Sequence, residues 1–206
     1  MKPITLVVLL VFLSGGIAQS APIAGVQLQS CEKNAEGEWI AHVVNVSHKE
    51  VETIAFFYGA SEAAFNTTIT PGETKDFTIG DSGEPNTTPA IGVVVYSDST
   101  AEVADERTFQ SVEQHRADSL LTLQQANTII EKHKASTARI ADTTKELEAL
   151  AATQTQYRKT SGPTVQAPFL REMARELREG IISADDLAAE NSKGIAHLEQ
   201  KIVRLP

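Results

Sequence analysis

The spacing of apolar residues changes near position 108 of this 206-residue chain, and that change dictates two kinds of structure in series. Before it, apolar and polar residues alternate in short runs. After it, Leu120, Leu123, Ile130, Ile140 and Leu147 recur at intervals that suit one face of a helix. A period of two sends alternate side chains to opposite faces of a strand, whereas a period near 3.6 lines one helix face. The chain therefore reads as α+β, with strands over 21–108 and helices over 109–206.

In the first region Gly25-Val26-Gln27-Leu28-Gln29 alternates as a half-buried strand does. Trp39 to Val46 is apolar on both faces apart from His42 and Asn45, as befits a central strand. Ile54, Phe56 and Tyr58 share one face of the next run, and Phe77 and Ile79 turn inward while Asp76 and Thr78 turn outward. Ile91 to Tyr96 is nearly continuous apolar sequence. Glu36-Gly37 and Ser47-His48-Lys49-Glu50 punctuate these runs. Thr70-Pro71-Gly72-Glu73 suits a type II turn, because proline presets φ and glycine tolerates the positive φ that follows. Short strands with frequent turns predict an antiparallel β-sandwich. The segments Trp39-Ile40-Ala41-His42-Val43-Val44-Asn45, Ile54-Ala55-Phe56-Phe57 and Pro71-Gly72-Glu73-Thr74 resemble the immunoglobulin-like or fibronectin-III-like sandwiches of exported bacterial proteins. That resemblance implies a fold and no function.

In the second region glycine and proline are absent between Gln110 and Ser161. With abundant Ala, Gln, Glu, Lys and Leu, this predicts one long helix within about 109–158, up to about 45 residues or some 65 Å at about 1.5 Å per residue. Thr160 to Thr164 breaks the chain, within a break over 160–167. Pro168 opens a helix over about 168–179 that Gly180 ends, and Ser183 with Asp186 caps another over about 184–204. The expected arrangement is a helical hairpin or three-helix bundle. Ser119, His133, Thr137 and Thr144 interrupt the seam of the long helix. It thus makes a weak coiled coil, better suited to packing on its own neighbours.

Residues 1–20 have the pattern of a signal peptide: Lys2, an apolar run from Ile4 to Leu13, and Ala18-Gln19-Ser20 as a small-residue cleavage site. The run is shorter than the roughly 20 apolar residues a spanning helix needs. The expected location is secreted or periplasmic in a bacterium, with no transmembrane anchor after cleavage. Cys31 is the single cysteine, so no disulfide framework forms within the chain. It reads first as a small buried hydrophobe. An intermolecular disulfide and a lipid attachment, from the loose lipobox Leu28-Gln29-Ser30-Cys31, are the alternatives.

Charge divides at the same boundary. Between Pro22 and Gln110 there are four basic and fourteen acidic residues, a balance of −10, whereas from Ser111 onward there are thirteen of each. The acidic half argues against nucleic acid as a partner. Gly80-Asp81-Ser82-Gly83-Glu84-Pro85 resembles the nucleophile loop of chymotrypsin-like proteases, which would make Ser82 the nucleophile and His42 the base. Glu84 stands where the loop needs glycine, however, and no second barrel is available. The five histidines, His42, His48, His115, His133 and His197, include no pair at i+3 or i+4, so no helix presents a paired metal site. Glu32, Glu36 and Glu38, and separately Asp98, Glu102, Asp105 and Glu106, are acidic clusters that lack the alternating ligands of a calcium loop. Sequons occur at Asn45, Asn66 and Asn86.

No catalytic, metal or cofactor residue is assigned on this basis. The chain reads as an exported non-enzymatic structural or interaction protein. Its expected partner is another protein, or a second copy held through the helical stripe of Leu120, Leu123, Ile130, Ile140 and Leu147. One alternative is a ligand-binding or sensory module with a cavity near Trp39 and Tyr96. Another is a hydrolase at the junction of the halves, using His42, Ser82 or the acids near Asp98.

Overall fold

A computed structural model of the chain describes residues 23–80, 87–153 and 163–205. The signal-like segment, the loop with Ser82 and Asn86, and the chain over 154–162 lie outside the described residues. Those that are described form eight strands in two sheets and four helices, an α+β architecture. Sheet A has the order β1 (Val26–Lys33), β2 (Trp39–Asn45), β5 (Thr74–Ile79). Sheet B has the order β4 (Ser61–Ile69), β3 (Val51–Tyr58), β6 (Ala90–Tyr96), β7 (Thr100–Val103), β8 (Val203–Arg204). All pairings are antiparallel except β7 with β8.

The core between the sheets is made by Ile54, Phe56, Tyr58, Phe77 and Ile79, which alternation marked, together with Val43, Val94 and Tyr96 from the continuous apolar runs. Gly72 has φ +81° and Glu73 N–H donates to Thr70 O at 3.0 Å, as the Pro71-Gly72 turn requires. Cys31 lies on β1, half-buried against this core, and burial raises its thiol pKa. Three strands were not apparent in the sequence: β4, β7 and the two-residue β8, which fell within the last expected helix. β4 shows only Phe65 and Ile69 as large apolar residues, and β7 is four residues long.

Sheet B is apolar on its other face too. Ala55, Val93, Val95 and Ala101 point away from the sandwich core and pack under Phe109 and Val112 of α1 (Glu106–Lys132). A bulge in β6 makes this possible, since Ala55 pairs with Val93 and Phe56 with Ile91, leaving Gly92 without an opposite residue. A Cβ on Gly92 would sit 3.0 Å from both Phe57 Cδ1 and Thr108 Oγ1, so glycine lets the first turn of α1 settle onto the sheet. The Gly92 carbonyl accepts from Ala104 N–H and Asp105 N–H, and Asp105 caps α1 through Thr108 N–H at 2.8 Å.

α1 is about 40 Å long at about 1.5 Å per residue. Its first half covers sheet B. Its second half contributes Leu123, Ala126, Ile129 and Ile130 to a second core. That core is completed by α2 (Arg139–Thr153), α3 (Ala167–Glu179) and α4 (Ala184–Leu198), through Leu147, Leu170, Met173, Leu177 and Leu187. The single long helix expected over 109–158 is therefore two helices, and the bundle has four helices. α1 stops at His133, and Ser136 turns the chain: its hydroxyl accepts from Ala138 N–H at 3.1 Å and bonds Asp142 at 2.5 Å. Serine and threonine compete with helical hydrogen bonding, so a helix can end here without glycine or proline. Reversal also buries the apolar stripes of both segments. Lys132 and His133 then meet Glu146 of α2 at 2.7 and 2.6 Å.

Of the seam-breaking polar residues, Ser119 and His133 have side-chain partners, whereas the Thr144 hydroxyl is buried without one among the described residues. Thr122 Oγ1 accepts from Gln166 N–H at 2.9 Å, Ser119 Oγ accepts from Gln166 Nε2, and Asp118 accepts from Thr164 N–H at 2.7 Å. These bonds seat the strand-like approach to α3 against the middle of α1. α3 starts with Ala167 and Pro168 and ends at Gly180, and Ser183 caps α4 through Asp186 N–H, as the sequence predicts. The last helix ends at Leu198 rather than near 204. The chain then returns to sheet B, where Ile202 joins the core under α1 and β8 pairs with β7.

Replacing Phe109, 2% exposed, by alanine is expected to cost about 3–5 kcal/mol. Urea unfolding followed by both circular dichroism and Trp39 fluorescence should show strand and helix signals lost in one transition. Two well-separated transitions in the unaltered protein would refute the shared core.

Candidate functional site

The residues singled out for chemistry do not converge. His42 stands on the outer face of sheet A, between neighbouring strands that place Asp76 and Glu32 on either side. Its Nδ1 lies 2.6 Å from Asp76 Oδ1 and its Nε2 lies 3.5 Å from Glu32 Oε1. The hydrogen bond to Asp76, with a smaller contribution from Glu32, raises the His42 pKa above the ordinary histidine value. A histidine oriented by a carboxylate is a component of many catalytic sites, but among the described residues no hydroxyl or thiol is hydrogen-bonded to this one, and Ser82 lies outside them.

The acidic group Asp98, Glu102, Asp105 and Glu106 separates into four structural roles. Asp98 pairs with Lys49 at 2.7 Å and with Thr100, which lowers its pKa to about 2. Glu102 accepts from the backbone N–H groups of Ala24 and Gly25 and from Tyr96 Oη at 2.7 Å, clamping the start of β1 to β7. Burial, and then this hydrogen bond, hold the Tyr96 hydroxyl far above the usual tyrosine range. Asp105 caps α1, and Glu106 grips Arg204 of β8 at 2.7 Å. Among the described residues no three His, Cys, Asp or Glu side chains are placed to hold a metal ion.

Asn45 is fully buried. Its Nδ2 donates to Lys49 O and Ile69 O, both at 2.8 Å, and its Oδ1 accepts from Ser47. It thereby joins two of the places where the chain crosses between sheets, after β2 and after β4, a role that leaves no room for a glycan. Asn66 is exposed on β4.

One polar cluster was not foreseen. His197 Nε2 of α4 meets Glu52 Oε1 of β3 at 2.6 Å, and Arg116 of α1 lies 3.8 Å from the same oxygen. Arg116 also donates to the carbonyls of His197 and Gln200, while Glu52 Oε2 is buried without a hydrogen-bond partner. The three residues are 145 positions apart at the extremes, so no local pattern could reveal them. They fasten the bundle to the sandwich.

Two recesses among the described residues lie away from Trp39 and Tyr96. One of about 40 Å³, large enough only for water, lies between Ala55, Glu62 and Ala64 of sheet B and Thr108, Ser111 and His115 of α1. The other is an open groove of about 440 Å³ at the far end of the bundle, beside exposed Ile140 and the Arg139–Asp185 ion pair. No helix among the described residues is long and apolar enough to cross a membrane. Of the stripe expected to drive association, Leu123, Ile130 and Leu147 are buried inside the bundle and Leu120 is half-buried, so that face is used within the chain.

The open surface of the molecule is instead a sheet edge. Among the described residues β4, nine residues long, pairs on one side only, with β3. Its one charged residue is Glu62, the run from Ser61 to Asn66 is in regular register, and the register shifts between Asn66 and Ile69. β1 carries a bulge and two terminal charges, β5 carries Lys75 and Asp76, and the opposite edge of sheet B ends in two-residue β8. Edge strands in native proteins are ordinarily guarded by such devices. Phe65 lies half-buried on this edge, its ring 6.0 Å from Phe56 and 5.0 Å from Phe77. No known family, curated protein or solved structure matches the chain.

Two outcomes follow from these contacts. The His42 pKa is raised in the folded state, so its stabilising contribution is complete at low pH and is lost as pH rises through the folded value. The urea midpoint should therefore decline as pH rises above the ordinary histidine value of about 6.5, and His42→Gln should flatten that decline. Asn45→Ala should destabilise the fold by about 1–3 kcal/mol for each carbonyl left buried and unpaired. A loss below about 0.5 kcal/mol in the same titration would contradict the joint described for it.

Proposed function

We propose that the chain is an exported, non-enzymatic structural or interaction protein. Its N-terminal half is an immunoglobulin- or fibronectin-III-like sandwich, and its helical half is a bundle held rigidly against it. The order β1-β2-β5 facing β4-β3-β6-β7 supports the sandwich assignment, because consecutive strands cross between sheets after β2, β4 and β5. The signal-like first 20 residues support export.

One observation carries the functional reading. Asp98, Glu102, Asp105, Glu106, His197 and Asn45 all serve contacts that hold the fold together, whereas the longest strand, β4, leaves its backbone edge open. An open edge gives its affinity through main-chain hydrogen bonds and needs no catalytic side chain. His42 belongs to the same reading as a cross-strand contact on the outer face of sheet A.

The test uses the folded protein as bait against the exported fraction of its source cells, beside assays with ester, peptide and phosphate-ester substrates. Specific capture of a protein, including the chain itself, without turnover is the expected result. Turnover abolished by His42→Ala or Ser82→Ala, at unchanged melting temperature, would make the protein a hydrolase and refute the reading.

A further inference from the structure

We propose that β4 pairs edge to edge with β4 of a second copy, in antiparallel register about Phe65, to make a two-fold dimer. The proposal rests on the reading of an interaction protein and names its partner. An antiparallel pair of identical strands is isologous, so each residue must be compatible with its mirror position. With Phe65 opposite itself, Ala64 faces Asn66, Ala63 faces Thr67, and Glu62 faces Thr68. No like charges are opposed and no bulky pair collides.

Two features make this edge self-complementary. Phe65 is half-exposed at the rim of the Phe56–Phe77 cluster, and a second strand brings an identical ring beside it, covering both. Lys75 of β5 reaches across the seam to donate from Nζ to Thr68 O at 3.3 Å, which puts an ammonium group at the C-terminal end of β4. In the antiparallel pair that end lies beside Glu62 of the other copy. Each dimer therefore forms the Glu62–Lys75 attraction twice, while Arg107, bonded to Ala60 O, sits beyond the pairing at the hairpin. Glu62 is thus both a guard against foreign strands and a contact for its copy.

Both copies carry a net charge of −9, which opposes approach at long range. Moderate salt screens that repulsion beyond about 10 Å at 0.1 M while leaving the short edge contacts in place. A foreign basic peptide would meet Glu62 favourably but would also meet Lys75 and Arg107 at the two ends of the strand, so the second copy is the better match.

The experiment is sedimentation equilibrium of the full chain lacking residues 1–20, from about 1 to 100 µM, the range in which a small interface is populated. Reversible dimerisation is expected. Glu62→Lys and Lys75→Glu should each weaken it by roughly tenfold, and the double variant should restore it, a pattern that altered folding cannot imitate. In a Cys31→Ala background, Phe65→Cys should form an intermolecular disulfide, since residues opposite each other in such a pair have Cα atoms about 4.5–5.5 Å apart. A monomer throughout the range overturns the proposal. So does a dimer indifferent to both charge variants, and so does binding of a different protein at β4 by a monomeric chain. Those results leave the non-enzymatic reading intact, because only turnover refutes it.

Discussion

The central strands of sheet B, β3 and β6, have almost no face that tolerates water, and the rest of the molecule is arranged around that fact. Val94 and Tyr96 point into the sandwich while Val93 and Val95 point out of it, and both sets are essentially excluded from solvent. A sheet that is apolar on both sides needs cover on both sides. Sheet A covers one. The first half of α1, with Ile202 returning from the C-terminus, covers the other. Because α1 is one continuous helix, the same element that closes sheet B also begins the bundle. The two halves are thus layers over a shared strand pair rather than beads on a linker.

Polar side chains then set the relation between these layers. Glu102 ties β1 to β7, Glu106 ties α1 to β8, and Glu52, Arg116 and His197 tie β3 to α1 and α4. Asn45 joins the crossings between the two sheets. Such contacts contribute little each when exposed and more when they leave a buried partner stranded on removal. Their value here is positional: each joins segments far apart in sequence. The balanced charge of the helical half has the same character, with Glu146 held by Lys132 and His133, Glu148 by Arg178, and Asp185 by Arg139. The excess acid of the strand half is what remains at the surface.

How much of this was legible depended on burial. Ile54, Phe56, Tyr58, Phe77 and Ile79 were assigned to the core from alternation, and they are in it. β4 was missed because an edge strand buries one side chain in two only partly, so Ala63, Ala64, Asn66 and Thr67 give no hydrophobic signal. The strand hardest to read is the one with an open edge, and the two properties have one cause. The predicted long helix failed for a different reason. Nothing between Gln110 and Ser161 forbids a helix, and what breaks it at 133–138 is the burial of Leu147 and Ala151 against the rest of the bundle, with Ser136 available to turn the chain. Ser136 and Thr137 were the only local signs.

The amino-acid order alone determined the class of structure, the inward faces of β3 and β5, the turn at Pro71-Gly72 and the caps at Gly180 and Ser183. Each follows from interactions within a few residues. Tertiary structure decided where α1 ends, that the C-terminus returns to sheet B, which acids serve as caps and clamps, and which edge stays open. Those outcomes depend on what each segment packs against, and packing partners more than 40 residues apart leave no trace in local periodicity.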